Sequence, residues 1–210
     1  MEKAIIIDYK MGNLFSIVNA CEKVGLETEI STDLKKIKDA KALILPGVGA
    51  YPLAVNQLQE LNLNSAIKDF IQSGKHVMGI CLGMQLLMEQ SDEFGIHKGL
   101  GIIEGEVLRF PENESPIKRR IPQIAWNNIT INDLSNPLLA GVKNEEYFYF
   151  VHSNYVLPKH KENVLCSTNF SDFEYCSVVH KENVYGIQFH PEKSASQGLR
   201  ILDNFKKMIK

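Results

Sequence analysis

One short segment combines a potential nucleophile with a backbone arrangement that would activate it. Residues 79–83 read Gly-Ile-Cys-Leu-Gly, after the apolar run 77–80 and before a segment with helical character. A strand-turn-helix junction of this kind strains its central residue and points that side chain outward at the N-terminus of the helix. The helix dipole and free N–H groups there favour a thiolate and a developing oxyanion. The pattern predicts Cys81 as a nucleophile, although it also fits a buried cysteine between two glycines.

A thiolate nucleophile needs a base, and one of the six histidines stands apart from the others. His190 follows the apolar run 185–189 and directly precedes Pro191, which favours an extended conformation at His190. Residues i and i+2 of an extended segment point to the same side, so Glu192 can hold one nitrogen of the imidazole. Cys81, His190 and Glu192 then form a nucleophile, base and acid triad. Taken alone, the His-Pro-Glu run also fits an exposed turn.

A glycine-rich loop is the third segment with chemical potential. Residues 46–49 read Pro-Gly-Val-Gly and follow the apolar run 42–45. Two glycines around one residue allow unusual backbone angles and a close approach to a ligand. Loops after the carboxyl ends of parallel strands gather at one edge of the sheet, which would place this loop beside Cys81. Its N–H groups are therefore candidates for an oxyanion hole, with a simple glycine turn as the alternative.

The elements around these segments indicate an α/β fold. The first half alternates apolar strand candidates with amphipathic helices, which is typical of a mostly parallel sheet covered on both faces. The predicted strands are 4–7, 28–31, 42–45 and 77–80, and the predicted helices are 13–25, 53–73 (one helix or two, with a weak point at 61–64) and 82–90. The second half carries closely spaced strand candidates, which indicate additional antiparallel or mixed sheet. They are 102–110, 124–131, 147–157, 163–168, 176–180 and 185–189, followed by a helix over 194–210.

Composition restricts the class of protein. The chain has 210 residues, a formal charge of −2 and 44% hydrophobic residues, which predicts one globular domain over 1–210 that needs no metal or disulfide to fold. The balanced charge gives no case for nucleic acid or an anionic membrane. No apolar run approaches the length of a membrane span, and the N-terminal run is too short for a signal peptide. Four cysteines without metal-binding spacing point to the cytoplasm, and no metal or organic cofactor is indicated.

Taken together, the three segments resemble the class I, triad-type glutamine amidotransferases, and the resemblance covers the whole chain. The run Gly-Ile-Cys-Leu-Gly-Met-Gln at 79–85 is similar to the nucleophile signature of that family. Phe-His-Pro-Glu at 189–192 is similar to its His/Glu signature, and 46–49 to its oxyanion strand. The resemblance implies a flavodoxin-like fold and hydrolysis of L-glutamine through a thioester. It also assigns the oxyanion donors to the N–H groups of Gly47, Val48, Gly49 and Leu82.

Finer features resemble one subfamily, the glutaminase subunits that serve imidazole glycerol phosphate synthases in histidine biosynthesis. They are the runs 8–14, 149–153 and 190–194, and Met84 before Gln85, where many other members carry His. By resemblance, Gly49, Gln85, His152 and Ser153 would contact the glutamine. Asn13, Trp126, Tyr149 and Lys193 would face a (β/α)8-barrel cyclase subunit, which receives the ammonia within a heterodimer.

Several positions depart from the subfamily pattern. Gln123 and Ala125 stand where the family usually has His and Gly, Lys10 replaces a common Gly, and Asn154 a common aromatic residue. None of them belongs to the predicted triad, so they bear on the partner and the pathway rather than on glutamine hydrolysis. A paralogous subunit that feeds ammonia to another synthase, such as one amidating a surface sugar, stays an alternative. A non-catalytic module and a peptidase-like cysteine hydrolase are further alternatives, which the intact triad and the His-Pro-Glu run disfavour.

Overall fold

The computed structural model describes residues 3–112 and 120–209. Helices in these ranges are α1 (Leu14–Lys23), α2 (Leu34–Asp39), α3 (Tyr51–Glu60), α4 (Leu63–Gln72), α5 (Leu82–Leu86) and α6 (Ala195–Met208). The strands are β1 (Lys3–Ile7), β2 (Glu27–Ser31), β3 (Ala42–Leu45), β4 (His76–Ile80), β5 (Met88–Ser91), β6 (His97–Lys98), β7 (Ile103–Arg109), β8 (Gln123–Asn128), β9 (Thr130–Ile131), β10 (Tyr147–His152), β11 (Asn154–Pro158), β12 (Val164–Phe170), β13 (Phe173–Lys181) and β14 (Val184–Ile187).

The centre of the molecule is a parallel sheet with strand order β2-β1-β3-β4-β14. From β14 the same sheet continues through β13, β11, β7, β5 and β6, and most of these pairings are antiparallel. Strands β8 and β10 pair with each other in a separate antiparallel ribbon. The mostly parallel sheet of the first half and the mixed sheet of the second half are thus confirmed.

The sheet has a core on each face, which explains why its central strands are apolar after their first residues. Along β1, Ile6 packs into the core on the side of α1 and α6, whereas Ile5 and Ile7 pack into the opposite core. Strand β3 repeats the alternation, with Ile44 on the first side and Leu43 on the second. Successive side chains of a strand point to opposite faces, so an unbroken apolar run fills both cores.

Most elements of the first half follow the sequence pattern, but one predicted helix is wrong in part. The segment 82–90 is helical only to Leu86, and Met88 begins β5. The reason is tertiary, because the carbonyl groups of Leu86 and Met88 accept hydrogen bonds from the N–H groups of Leu100 and Gly101. The segment 53–73 forms two helices, with Asn62 between them at φ +55°. Helix α2, which the apolar pattern does not reveal, starts at the capping side chain of Asp33.

Two predicted strands of the second half are each divided in two. The segment 124–131 contains β8 and β9, and the segment 147–157 contains β10 and β11, with Ser153 at the break. The second division has a structural role, because β10 belongs to the ribbon while β11 pairs with β7 in the main sheet. Helix α6 matches the predicted terminal helix, whose last residue, 210, lies outside the described residues. None of the helices in the described ranges is both long and apolar enough to cross a membrane.

Candidate active site

Three adjacent parallel strands deliver the three predicted segments to one edge of the sheet. Strand β4 ends at Ile80, directly before Cys81, and its neighbours β3 and β14 lead into the loop 46–49 and into His190. The register is tight, because Ile187 lies opposite Ile80 and the N–H of Cys81 donates to the carbonyl of Ile187 at 2.7 Å. The nucleophile candidate and the base candidate therefore leave the sheet side by side.

Cys81 has a strained backbone at the turn between β4 and α5. Its φ of +54° and ψ of −109° lie in a region that residues with a Cβ rarely adopt. The flanking glycines are required by close packing: a Cβ on Gly83 would lie 1.8 Å from the carbonyl oxygen of Leu45, and a Cβ on Gly79 would lie 2.6 Å from that of Gly83. The Gly-Ile-Cys-Leu-Gly run thus forms a strained elbow with Cys81 at the start of α5.

His190 and Glu192 form a buried pair beside Cys81. Nδ1 of His190 lies 2.7 Å from Oε1 of Glu192, and the two side chains are 3% and 2% exposed. Burial alone would lower the pKa of His190, but the side chains of Cys81 and Glu192 together raise it to about 10. Nε2 makes no hydrogen bond of ordinary geometry. His190 is therefore held in one orientation as an imidazolium, with a second nitrogen available for proton exchange.

The sulfur of Cys81 has an amide neighbour that the sequence motifs do not single out. Gln188 is fully buried, and its Nε2 lies within 3.5 Å of the Cys81 Sγ as a donor. Its Oε1 accepts a hydrogen bond of 3.2 Å from Nε2 of Gln85. Its spacing from His190 could have indicated this position. Gln188 precedes His190 by two residues, and an extended segment places such residues on the same side.

A cavity of about 250 Å³ opens beside Cys81. It is lined by Val48, Gly49, Cys81, Leu82, Gln85, Glu93, Pro122, Val151, His152, Ser153 and Asn154. The predicted glutamine contacts Gly49, Gln85, His152 and Ser153 are thus together on the wall of one cavity. Glu93, Pro122 and Asn154 are lining residues without a sequence motif. Asn154, one of the departures, contributes its carbonyl group as the acceptor of a 3.3 Å hydrogen bond from Gln85.

The predicted oxyanion donors lie beside Cys81, but two of their N–H groups are engaged. The N–H of Leu82 donates to the carbonyl of Gly47 at 3.3 Å, and the N–H of Val48 donates to the carbonyl of Met11 at 3.2 Å. The Tyr9 hydroxyl fixes the same loop by donating to the carbonyl of Pro46. Gly49 follows with φ +106°, a value that favours glycine. An oxyanion could bind to Leu82 N–H only after the carbonyl of Gly47 had moved away.

Three of the four predicted partner residues form one surface cluster. Trp126 and Tyr149 are opposite each other in the β8–β10 ribbon, with ring centroids 6.1 Å apart, and Trp126 is 50% exposed. Nζ of Lys193 lies 5.9 Å from the centroid of the Tyr149 ring. Asn13, the fourth, caps α1 by accepting a hydrogen bond of 3.3 Å from the N–H of Ser16.

The other cysteines lack the surroundings of a nucleophile. Burial raises the pKa of Cys21 to about 12 and moves the pKa values of Cys166 and Cys176 further upward. All three are therefore thiols at neutral pH, packed as small apolar residues. Within residues 3–112 and 120–209, no group of three or more His, Cys, Asp or Glu side chains is arranged to hold a metal ion.

His152 is the second buried histidine of the site, and its environment is opposite to that of His190. It is 6% exposed, and its Nδ1 lies 2.8 Å from the carbonyl oxygen of Asn154. Burial lowers the pKa of His152 to about 4, and the charge on His190 acts in the same direction. His152 is therefore neutral at neutral pH.

Comparison with known proteins identifies the family of the chain. The sequence profile of the family "Glutamine amidotransferase class-I" matches residues 5–208. The chain belongs to the class I glutamine amidotransferases. Curated relatives named "Imidazole glycerol phosphate synthase subunit HisH" are 46% identical in Sulfurimonas denitrificans, over 96% of both chains, and 46% identical in Caldanaerobacter subterraneus subsp. tengcongensis, over 98% of both chains.

Solved structures share the fold at low sequence identity. A structure described as PurLQS from Thermotoga maritima aligns with a TM-score of 0.75 and 20% identity over the whole of both chains. Another, described as a glutamine amidotransferase, aligns with a TM-score of 0.71 and 19% identity over 98% of both chains. At these identities the likeness concerns the fold alone.

The low pKa of His152 leads to a prediction for folding stability. Unfolded His152 takes up a proton as the pH falls below about 6.5, whereas the folded protein resists protonation until about pH 4. The stability associated with His152 is therefore present above pH 6.5 and decreases as the pH falls towards 4, by on the order of 3 kcal/mol. Denaturant unfolding of the wild type and His152→Gln at several pH values measures it. The wild type should lose more stability than the variant below pH 6.5, and parallel curves would contradict the assignment.

Proposed function

We propose that this protein acts as the glutaminase subunit of an imidazole glycerol phosphate synthase in histidine biosynthesis. It hydrolyses L-glutamine to glutamate and ammonia, and the ammonia passes to a cyclase subunit. The observation that carries the chemistry is the buried 2.7 Å contact between His190 and Glu192, with the other imidazole nitrogen available beside Cys81. The HisH relatives, matched over nearly their full length, support the assignment to histidine biosynthesis.

The proposed reaction uses Cys81, His190 and Glu192. The thiolate of Cys81 attacks the side-chain amide carbon of glutamine, which forms a C–S bond and places negative charge on the carbonyl oxygen. The C–N bond then breaks as protonated His190 gives its proton to the leaving ammonia. Neutral His190 next takes a proton from water, whose hydroxide displaces the sulfur from the thioester and releases glutamate. Glu192 holds the imidazole in orientation and offsets its positive charge throughout.

The loop 46–49 is proposed to control this reaction. Stabilisation of the oxyanion by Gly47, Val48, Gly49 and Leu82 requires that the N–H of Leu82 exchange the Gly47 carbonyl for the substrate oxygen. Removing one oxyanion donor typically costs about 3–4 kcal/mol of transition-state stabilisation. A rearrangement of one peptide group would thus change the rate by orders of magnitude, which is large enough to keep the glutaminase slow until the partner is ready for ammonia.

The cavity wall is proposed to bind the substrate. Gly49, Gln85, His152 and Ser153 present backbone or side-chain polar groups around Cys81, as recognition of an amino acid requires. His152 is suited to this place because its low pKa keeps it uncharged. The site uses no metal or organic cofactor in this proposal.

The outer face of the β8–β10 ribbon is proposed as part of the partner surface. Ile124, Trp126 and Tyr147 are 61%, 50% and 56% exposed on these two strands, and such apolar exposure marks interaction sites. Tyr149 and Lys193 extend the face towards His190, and Asn13 is assigned to it by resemblance. We assign the partner as a (β/α)8-barrel cyclase subunit that forms a heterodimer with this chain. One domain over 1–210 and a location in the cytoplasm complete the proposal.

A second candidate is an amidotransferase subunit for a different synthase, such as one that amidates a surface sugar. It is favoured by Gln123 and Ala125 on the ribbon, where the family usually has His and Gly. The two candidates share the glutaminase step and differ in the partner. Co-purification decides between them, because the bound synthase either is or is not the cyclase of the histidine pathway.

The assigned nucleophile leads to a selective loss of activity. Cys81→Ala should abolish glutamine-dependent synthesis by the assembled complex, because no other group of the site can form the thioester. Synthesis from added ammonium should persist at the wild-type rate, because the variant leaves the cyclase active site unchanged. Both rates can be measured from the appearance of imidazole glycerol phosphate.

The matched control for that experiment is Cys21→Ala, which removes a buried thiol from the core. It should retain glutamine-dependent synthesis in whatever fraction of the protein folds. Retention of glutamine-dependent synthesis by Cys81→Ala would refute the assignment.

The proposed partner surface leads to a prediction for affinity. Trp126→Ala should weaken binding of the cyclase subunit at least tenfold. A large aromatic residue in an interface commonly contributes about 1–2 kcal/mol or more to the binding free energy. Leu134→Ala is the control, since Leu134 is 72% exposed but lies outside the ribbon. Titration calorimetry measures both. Equal affinities for the two variants would exclude the ribbon as a main contact.

A further inference from the structure

A chain of buried polar groups connects the ribbon to the main sheet behind the glutamine cavity. Gln123 on β8, His152 on β10 and Tyr175 on β13 are 1%, 6% and 3% exposed. The hydroxyl oxygen of Tyr175 lies 3.2 Å from Nε2 of His152 and 3.0 Å from the side-chain Oε1 of Gln123. No step of the proposed reaction uses Gln123 or Tyr175, so these two side chains have no assigned role in the chemistry.

Counting protons fixes the direction of most of these hydrogen bonds. The carbonyl of Asn154 can only accept, so Nδ1 of His152 carries a proton and donates to it. A neutral imidazole has one proton, which leaves Nε2 as an acceptor. The phenol of Tyr175 stays protonated because burial raises its pKa well above the usual value. Its single proton therefore goes to Nε2 of His152.

The Tyr175 hydroxyl then has no proton for Gln123 and must accept from it. Oxygen and nitrogen of a side-chain amide are interchangeable in shape, and a half-turn of the Gln123 amide places Nε2 against the phenol oxygen. Independent support comes from Nε2 of Gln123, which is buried without a partner in the other orientation. The turned amide pairs one N–H with the phenol oxygen and leaves the carbonyl oxygen, instead of both N–H groups, in the unpartnered position; a buried N–H without a partner is the rarer and costlier case, at about 1–3 kcal/mol.

We infer that Gln123 and Tyr175 are positioning residues, which hold His152 as the Nδ1–H tautomer through the relay Gln123 Nε2–H to Tyr175 O–H to His152 Nε2. This inference deepens the proposed function and rests on it. His152 in turn donates to Asn154, so the relay holds three consecutive wall residues, 152–154, of the cavity beside Cys81. Tyr175 belongs to the main sheet, whereas Gln123 and His152 are paired on the ribbon. The relay thus sets the distance between the ribbon wall of the cavity and the sheet that carries Cys81.

The kinetic test removes the relay one group at a time in the assembled complex. Tyr175→Phe keeps the ring and deletes the hydroxyl, and Gln123→Met keeps the length of the side chain and deletes the donor. Loss of a buried hydrogen bond should raise the KM for glutamine about 5- to 10-fold for Tyr175→Phe, with kcat reduced much less, because the triad is untouched. Gln123→His should restore a KM near the wild-type value, since an imidazole N–H can donate to the phenol oxygen.

The matched control is Tyr155→Phe, which deletes a phenol oxygen from the same aromatic cluster. The ring centroids of Tyr155 and Tyr175 lie 6.5 Å apart, but Tyr155 is outside the relay. Its KM for glutamine should equal that of the wild type. Unchanged KM values for both Tyr175→Phe and Gln123→Met would overturn the positioning role.

The spectroscopic test reads the relay without any activity. Nitrogen chemical shifts of isotope-labelled histidine, assigned to His152 by comparison with His152→Gln, should show a proton on Nδ1 and none on Nε2 at neutral pH. The Nε2 signal should move in Tyr175→Phe and stay in Tyr155→Phe. A proton on Nε2 would overturn the relay. If the wild-type complex has no glutaminase activity, the proposed function fails while these spectra still decide the relay.

Discussion

The strained backbone of Cys81 is the constraint on which the rest of the site depends. A residue at φ +54° and ψ −109° keeps that conformation only when its surroundings hold it there. The hydrogen bond from its N–H to Ile187 fixes the strand side, and the close contact of Gly83 with Leu45 fixes the helix side. These two contacts join β4 to β14 and α5 to β3. The two strands that hold Cys81 in this conformation, β14 and β3, are thus the same strands that lead into His190 and the loop 46–49.

Two buried histidines show how the surroundings separate chemical roles. His190 faces Cys81 and Glu192, which raise its pKa to about 10, so it is charged and suited to proton transfer. His152 faces a carbonyl and a phenol, and burial lowers its pKa to about 4, so it is neutral and suited to shaping the cavity. Titratable groups whose environments move their pKa values apart are typical of active sites. One cavity region thus combines a charged imidazole beside Cys81 with a neutral imidazole on its wall.

The parts that were predictable from the sequence are those encoded by neighbouring residues. The elbow at Cys81 and the pairing of His190 with Glu192 depend on segments of five and three residues, and the parallel strands are unbroken apolar runs. The exceptions depend on partners distant in the chain. Strand β5 replaces part of a predicted helix because residues 99–103 bind its backbone, and Tyr175 meets Gln123 across 52 positions. No local pattern of residues reveals such contacts. The ribbon, which separates β10 from β11, also depends on pairing between strands that are distant in the chain.

Cys81 is proposed as the group that attacks glutamine, and the whole reaction depends on it. The most direct measurement is mass spectrometry of the complex of this chain with its synthase partner, after treatment with a glutamine analogue that carries an electrophilic carbon in place of the amide. We expect one adduct, located on Cys81, and protection of that residue by excess glutamine. An adduct on Cys21, Cys166 or Cys176, or no adduct in the assembled complex, would contradict it.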